Sequence, residues 1–131
     1  MLTRRGFAGC ALCAGLGLIA GEAAAQTPGI TRAILKRTEL PGTNYVTVLA
    51  RAEIAPGALV ARHTHPGIES SYVLSGRAML TVAGREDQAL APGDSFQIPP
   101  LVPHSARNGD APSVILTNFV VEKDKPLASP A

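Results

Sequence analysis

From about residue 30 onward, short apolar runs alternate with glycine- and proline-centred breaks roughly every ten positions. Residues 33–37 predict a strand closed by Pro41-Gly42, and residues 45–54, rich in valine and threonine, a longer one ended by Pro56-Gly57. Residues 69–74 lead to Ser75-Gly76, and residues 78–83 to Gly84-Arg85. These two runs are expected to form a hairpin pair with residues 87–90. Pro92-Gly93-Asp94 marks a tight turn before a short strand over 95–98. Pro99-Pro100 and Pro103 punctuate the next loop, and strands over 104–108 and 113–121 close the series. After residue 25 no stretch holds a helical period with caps, and no internal repeat is evident. Many short strands with regular turn signals predict an all-β sandwich or barrel.

Residues 1–25 read as an export signal, which takes them out of the fold. Arg4-Arg5 precedes an apolar stretch over 7–20, and Ala23-Ala24-Ala25 suits cleavage before Gln26, although Glu22 is atypical there. The stretch is interrupted by Gly9, Gly15 and Gly17, and it falls short of the ~20 apolar residues of a membrane span. No stable membrane anchor is therefore expected. Thr3-Arg4-Arg5-Gly6-Phe7 resembles the twin-arginine export signal, which implies a periplasmic or secreted protein; an ordinary secretory signal or an uncleaved anchor is the alternative. The remainder divides into a flexible leader over 26–31, one barrel domain over 32–121 and a loose tail over 122–131. It keeps 10 of the 12 lysines and arginines and 9 of the 10 acidic residues. With no basic cluster, nucleic acid is not expected as a partner. Both cysteines, Cys10 and Cys13, lie in the signal, so no disulfide can brace the domain. Only Tyr45, Tyr72, Phe96 and Phe119 supply aromatic rings after residue 25. So light a core leaves a homodimer plausible, since pairing would bury more apolar surface.

The chemistry lies with three histidines. His63, His65 and His104 fall in two glycine-bounded segments, Gly57 to Gly76 and Gly93 to Asn108. Alternate side chains on a strand share a face, so His63 and His65 can grip one ion from one side. Glu69 has the same parity, but Pro66-Gly67 bends the chain between them. Another ligand must come from elsewhere in the fold, and His104 is the remaining histidine. Three imidazoles and a carboxylate suit a divalent first-row transition metal better than calcium or magnesium. Around a six-coordinate ion they would leave two positions for water, substrate or dioxygen. Among the nearby polar residues, Ser71 shares the parity of Glu69 and Gln97 is open to hydrogen-bonding a ligand, but the favoured reading is a core filler and a solvent-facing side chain. Asn108 is read as a turn-fixing residue and Arg62 as a solvated rim charge, open to pairing an acidic substrate.

These segments resemble the two motifs of the cupin superfamily. The first pattern, G-x5-H-x-H-x3-E-x6-G, is met at Gly57, His63, His65, Glu69 and Gly76. The second, G-x5-P-x-G-x2-H-x3-N, is met at Gly93, Pro99, His104 and Asn108, with Leu101 where the family has glycine. The resemblance covers about residues 32 to 121, in the manner of small single-domain bacterial cupins. It implies a double-stranded β-helix, a jelly-roll barrel, with the ion held inside by His63, His65, Glu69 and His104.

A metal-dependent enzyme on a small organic substrate is the first expectation. Dioxygenase-type chemistry is favoured, and isomerase or lyase chemistry is open. The alternatives are a non-catalytic module that binds a small molecule or metal, and a domain whose ion merely stiffens the barrel. The twin-arginine route carries folded proteins, so an ion could be chosen in the cytoplasm and trapped before export. Manganese, iron or nickel is then expected over zinc or copper, which would win on affinity outside.

Overall fold

The computed structural model describes residues 27–131. Among them there is no helix, and ten strands follow one another along the chain: β1 (Ile30–Glu39), β2 (Tyr45–Ile54), β3 (Leu59–Thr64), β4 (Gly67–Ser75), β5 (Ala78–Val82), β6 (Gln88–Leu90), β7 (Ser95–Ile98), β8 (His104–Asn108), β9 (Ser113–Glu122) and β10 (Ser129–Pro130). They form two five-stranded antiparallel sheets, in the orders β1-β2-β9-β4-β7 and β10-β3-β8-β5-β6. The fold is an all-β jelly roll, the class that the strand pattern predicts in the form that the family resemblance implies.

Alternation along the strands decides which side chains form the core. In β9, Ser113, Ile115, Thr117, Phe119 and Val121 are buried, and each intervening residue is only half-buried. In β2, Val46, Val48 and Ala50 are buried, and the register sets them opposite Val121, Phe119 and Thr117. Val46, Val48, Ala50, Phe119 and Val121 form one apolar cluster, against which Leu127 packs. A second gathers Val73, Leu80, Val82, Leu90 and Ile98 from both sheets. Each of the larger aliphatic side chains contributes about 1.5–3 kcal/mol relative to exposure.

Three local expectations are corrected. The β5 strand pairs with β6 as foreseen, but β4 does not join them; it lies in the other sheet between β9 and β7. The chain changes sheets at Gly76, whose φ of 83° is in the left-handed region. A side chain there would also collide with Ser113 and the carbonyl of Pro112, so only glycine lets the crossover pass so close. At the start, residues 30 and 31 belong to β1 rather than to a flexible leader, and the Gly29 carbonyl accepts from the Ala55 amide at 2.7 Å. At the end, residues 122–131 are not loose throughout. Ser129 and Pro130 pair with Thr64 and His63 on β3, and Leu127 is packed.

Candidate metal centre

The four residues expected to share an ion arrive from both sheets. A register shift in β3 between Val60 and His63 sets His63 directly across from His104 at the start of β8. Paired residues on adjacent strands face the same way, so both imidazoles enter the barrel. His65 follows just beyond the end of β3, at the turn into β4. Glu69 comes from the opposite sheet, paired with Phe119 and Ile98. Its approach depends on Gly67, where a Cβ would run into the backbone of Val120; without one, β4 can lie flush against β9.

One nitrogen or oxygen from each of His63, His65, Glu69 and His104 lies within 4.8 Å of all the others. The His63 and His65 Nε2 atoms are 3.1 Å apart. Glu69 Oε2 lies 3.0 Å from His65 Nε2 and 3.1 Å from His104 Nε2. His65, Glu69 and His104 are buried, and His63 is half-buried. The His65 ring also packs on Phe119, with centroids 4.8 Å apart.

The outer nitrogens settle what the cluster can hold. His63 Nδ1 donates to the Ala61 carbonyl at 2.7 Å, His65 Nδ1 to the Leu127 carbonyl at 2.6 Å and His104 Nδ1 to the Val102 carbonyl at 2.9 Å. A neutral imidazole that donates through Nδ1 has only a lone pair at Nε2. Three such lone pairs and a carboxylate oxygen therefore converge on one point. Acceptors facing acceptors at 3 Å require a cation or an extra proton between them, and this donor set fits a transition-metal ion.

The acid-base properties agree. Burial lowers the pKa of His63 to about 4, against the opposing pull of its bond to Ala61, and the neighbouring imidazoles add to the fall. Its lone pair is thus free at neutral pH. Burial would raise the Glu69 pKa, but the bonds from His104, His65 and Ser71 outweigh it and hold the carboxyl well below its usual range. Burial also opposes a proton on His104, yet its contacts with Glu69 and Val102 prevail and raise its pKa.

Of the nearby polar side chains read in the sequence, Ser71 departs from its reading, and Gln97, Asn108 and Arg62 are placed as read. Ser71 is more than a core filler: its hydroxyl donates to Glu69 Oε1 at 2.7 Å and lies 2.7 Å from Thr117 Oγ1. One carboxylate oxygen is thereby held by the serine, and the other points at the histidines. Gln97 is exposed and donates to Ser70 at 2.9 Å, away from the centre. Asn108 shares its amide hydrogens among the carbonyls of Ile54, Ala55 and Ala111 and accepts from Ser113, which makes it a loop-fixing residue. Arg62 is exposed and does not reach the cavity beside the cluster. The sequence reading missed Thr117, whose signal is a hydroxyl among apolar neighbours on the buried face of β9. It also missed Arg32, which lines the cavity. The Leu127 carbonyl, a backbone group, leaves no sequence signal at all.

Residues 50–119, more than half of the chain, match the family model described as the cupin domain. The chain belongs to the cupin family. A curated relative of this cupin, Germin-like protein subfamily 2 member 1 of Arabidopsis thaliana, is 39% identical over 87 residues, 61% of this chain and 40% of that protein. The chain spans about two fifths of the length of the curated relatives it matches. Among solved structures, KdgF from Halomonas sp. superposes with a TM-score of 0.62 at 26% identity, over 74% of this cupin and 84% of that chain. The DMSP lyase DddQ from Ruegeria pomeroyi gives 0.67 at 21% identity, over 78% and 51%, which is a likeness of fold alone.

Proposed function

We propose that this cupin is a metal-dependent enzyme acting on a small organic molecule, with dioxygenase-type oxidation favoured and isomerase or lyase chemistry as the alternative. The observation that carries the reading is the position of the ligand cluster. His63, His65, Glu69 and His104 form part of the wall of a cavity of about 60 Å³, rather than a knot closed on all sides by protein. A site that leaves one side of its ion facing a cavity is built for exchangeable ligands; a structural site closes its coordination.

When bound, the ion would supply Lewis-acid polarisation of a substrate oxygen and, if redox-active, a partner for dioxygen. The chain's own residues do the rest. The three Nδ1 bonds fix the imidazole planes, and Ser71 with Thr117 fixes the carboxylate. Ile54, Val60, Phe96, Ile115 and Phe119 line the cavity with hydrocarbon, which restricts water around the reacting groups. That a lyase shares this fold is what keeps lyase chemistry as the alternative reaction.

Export and the choice of manganese, iron or nickel are further parts of the proposal. They rest on Arg4-Arg5 and the apolar stretch behind it, in residues 1–25, which lie outside the described residues.

An oxygen-uptake screen of the metal-loaded protein over enols, diketones and catechols tests the reading. Uptake with at least one of them is expected, and its loss in His65→Ala. A compound that binds and is returned unchanged throughout would point instead to a non-catalytic binding module.

A further inference from the structure

The cavity beside the ligand cluster is walled mostly by hydrocarbon, and Arg32 is the single cationic side chain that lines it among the described residues. The register explains why it is there. Ile30, Arg32 and Ile34 on β1 pair with Ile54, Ala52 and Ala50 on β2, so all six face one side of the sheet. Ala50, Ala52 and Ile54 line the cavity, and Arg32 therefore reaches over it from the edge strand. Two alanines beneath the arginine leave room that larger residues would fill.

The guanidinium is positioned by an aromatic ring that also touches the cluster. Arg32 Cζ lies 6.0 Å from the centroid of Phe119, on whose ring His65 packs at 4.8 Å. A single phenyl ring thus spans the distance from the cation to the ligands. No carboxylate among the described residues pairs with Arg32, and Glu69, the acidic residue of the cavity wall, is taken up by Ser71 and the histidines. Arg32 itself is exposed, so its donors are accessible from the mouth.

We infer that Arg32 is the anchor for a substrate carboxylate, and that the substrate class is a small monocarboxylic acid carrying a second oxygen function. This deepens the proposed function and rests on that reading of the cavity. The planar fork of a guanidinium matches a carboxylate with two parallel bonds. Anchored there, the acid would lie along the apolar wall and present its hydroxyl, enol or keto oxygen to the cluster. The enclosed part of the cavity is small, about 60 Å³, which favours short acids such as glycolate or pyruvate.

The test uses the metal-loaded full chain, with metal content measured for every variant. Binding of glycolate and pyruvate is compared with that of glycolamide and pyruvamide by calorimetry. The acids are expected to bind about tenfold or more tighter than their amides. Arg32→Gln is expected to remove that preference while leaving amide affinity, metal content and melting temperature unchanged; Arg32→Lys restores part of it. Equal binding of acids and amides to the wild type, no binding of either acid, or unaltered acid affinity in Arg32→Gln would overturn the assignment of Arg32. A wild-type chain that takes up no ion would overturn the reading of the site itself, and the metal assay tells these failures apart.

Discussion

Leu101 adopts φ 61°, the one left-handed non-glycine residue among those described, at the position where the cupin pattern has glycine. Its amide donates to the His65 carbonyl at 3.0 Å, so the loop must take this shape to tie the approach to His104 against the approach to Glu69. The side chain is 64% exposed and contributes little packing. A left-handed leucine costs about 1–2 kcal/mol, and the greater freedom of glycine in the unfolded chain offsets part of that. Leu101→Gly is therefore expected to be neutral or stabilising by up to about 1 kcal/mol in urea denaturation. Destabilisation beyond about 1 kcal/mol would mean that the leucine makes contacts the fold depends on. At this scale the sequence was legible where spacing along the chain decides proximity. His63 and His65 lie two apart, at the end of β3 and just past it, and the strand's alternation carries over far enough to bring them together. Ser71 lies two residues from Glu69 on β4, so the same pleat brings it to the carboxylate; Thr117 and Arg32 escaped because each meets the site through cross-strand register, which no local pattern states.

Among the elements, β3 and the last segment of the chain are the least obvious in the sequence and among the most consequential. The β3 strand carries a register shift, and β10 is two residues long, so neither shows a regular alternation. Yet the segment before β10 supplies the carbonyl of Leu127 that fixes His65 through its Nδ1 at 2.6 Å. Partners of this kind, behind a ligating histidine, typically support metal affinity by about 10–100-fold. Deletion of residues 127–131 is expected to weaken ion binding by a factor in that range, as measured by competition with a chromophoric chelator. Unchanged affinity would show that another group orients His65 equally well. The expectation of a loose tail failed for a clear reason: proline, alanine and serine composition reports on local propensity. The tail is held by one packed leucine and a short ladder on β3 instead.

For the molecule as a whole, the two sheets divide the work. The apolar clusters of β2 with β9, and of β4, β5, β6 and β7, lie on inward-facing positions, while three imidazoles and a carboxylate from β3, β4 and β8 meet in the same interior. The all-β class was legible because strand-length runs and turn residues recur so regularly. The pairing of β4 was not, because a crossover at Gly76 depends on how closely Ser113 can approach rather than on the run itself. The same arrangement buries acceptor groups against one another, and a bound ion should relieve that tension and stabilise the fold by mass action.

Metal stoichiometry of the purified protein is the most direct measurement. Elemental analysis of the wild type, His65→Ala and His104→Ala, each confirmed folded by circular dichroism, should find one transition-metal ion per wild-type chain and a large loss in both variants. Wild-type levels of the ion in either folded variant would contradict a centre held jointly by both sheets.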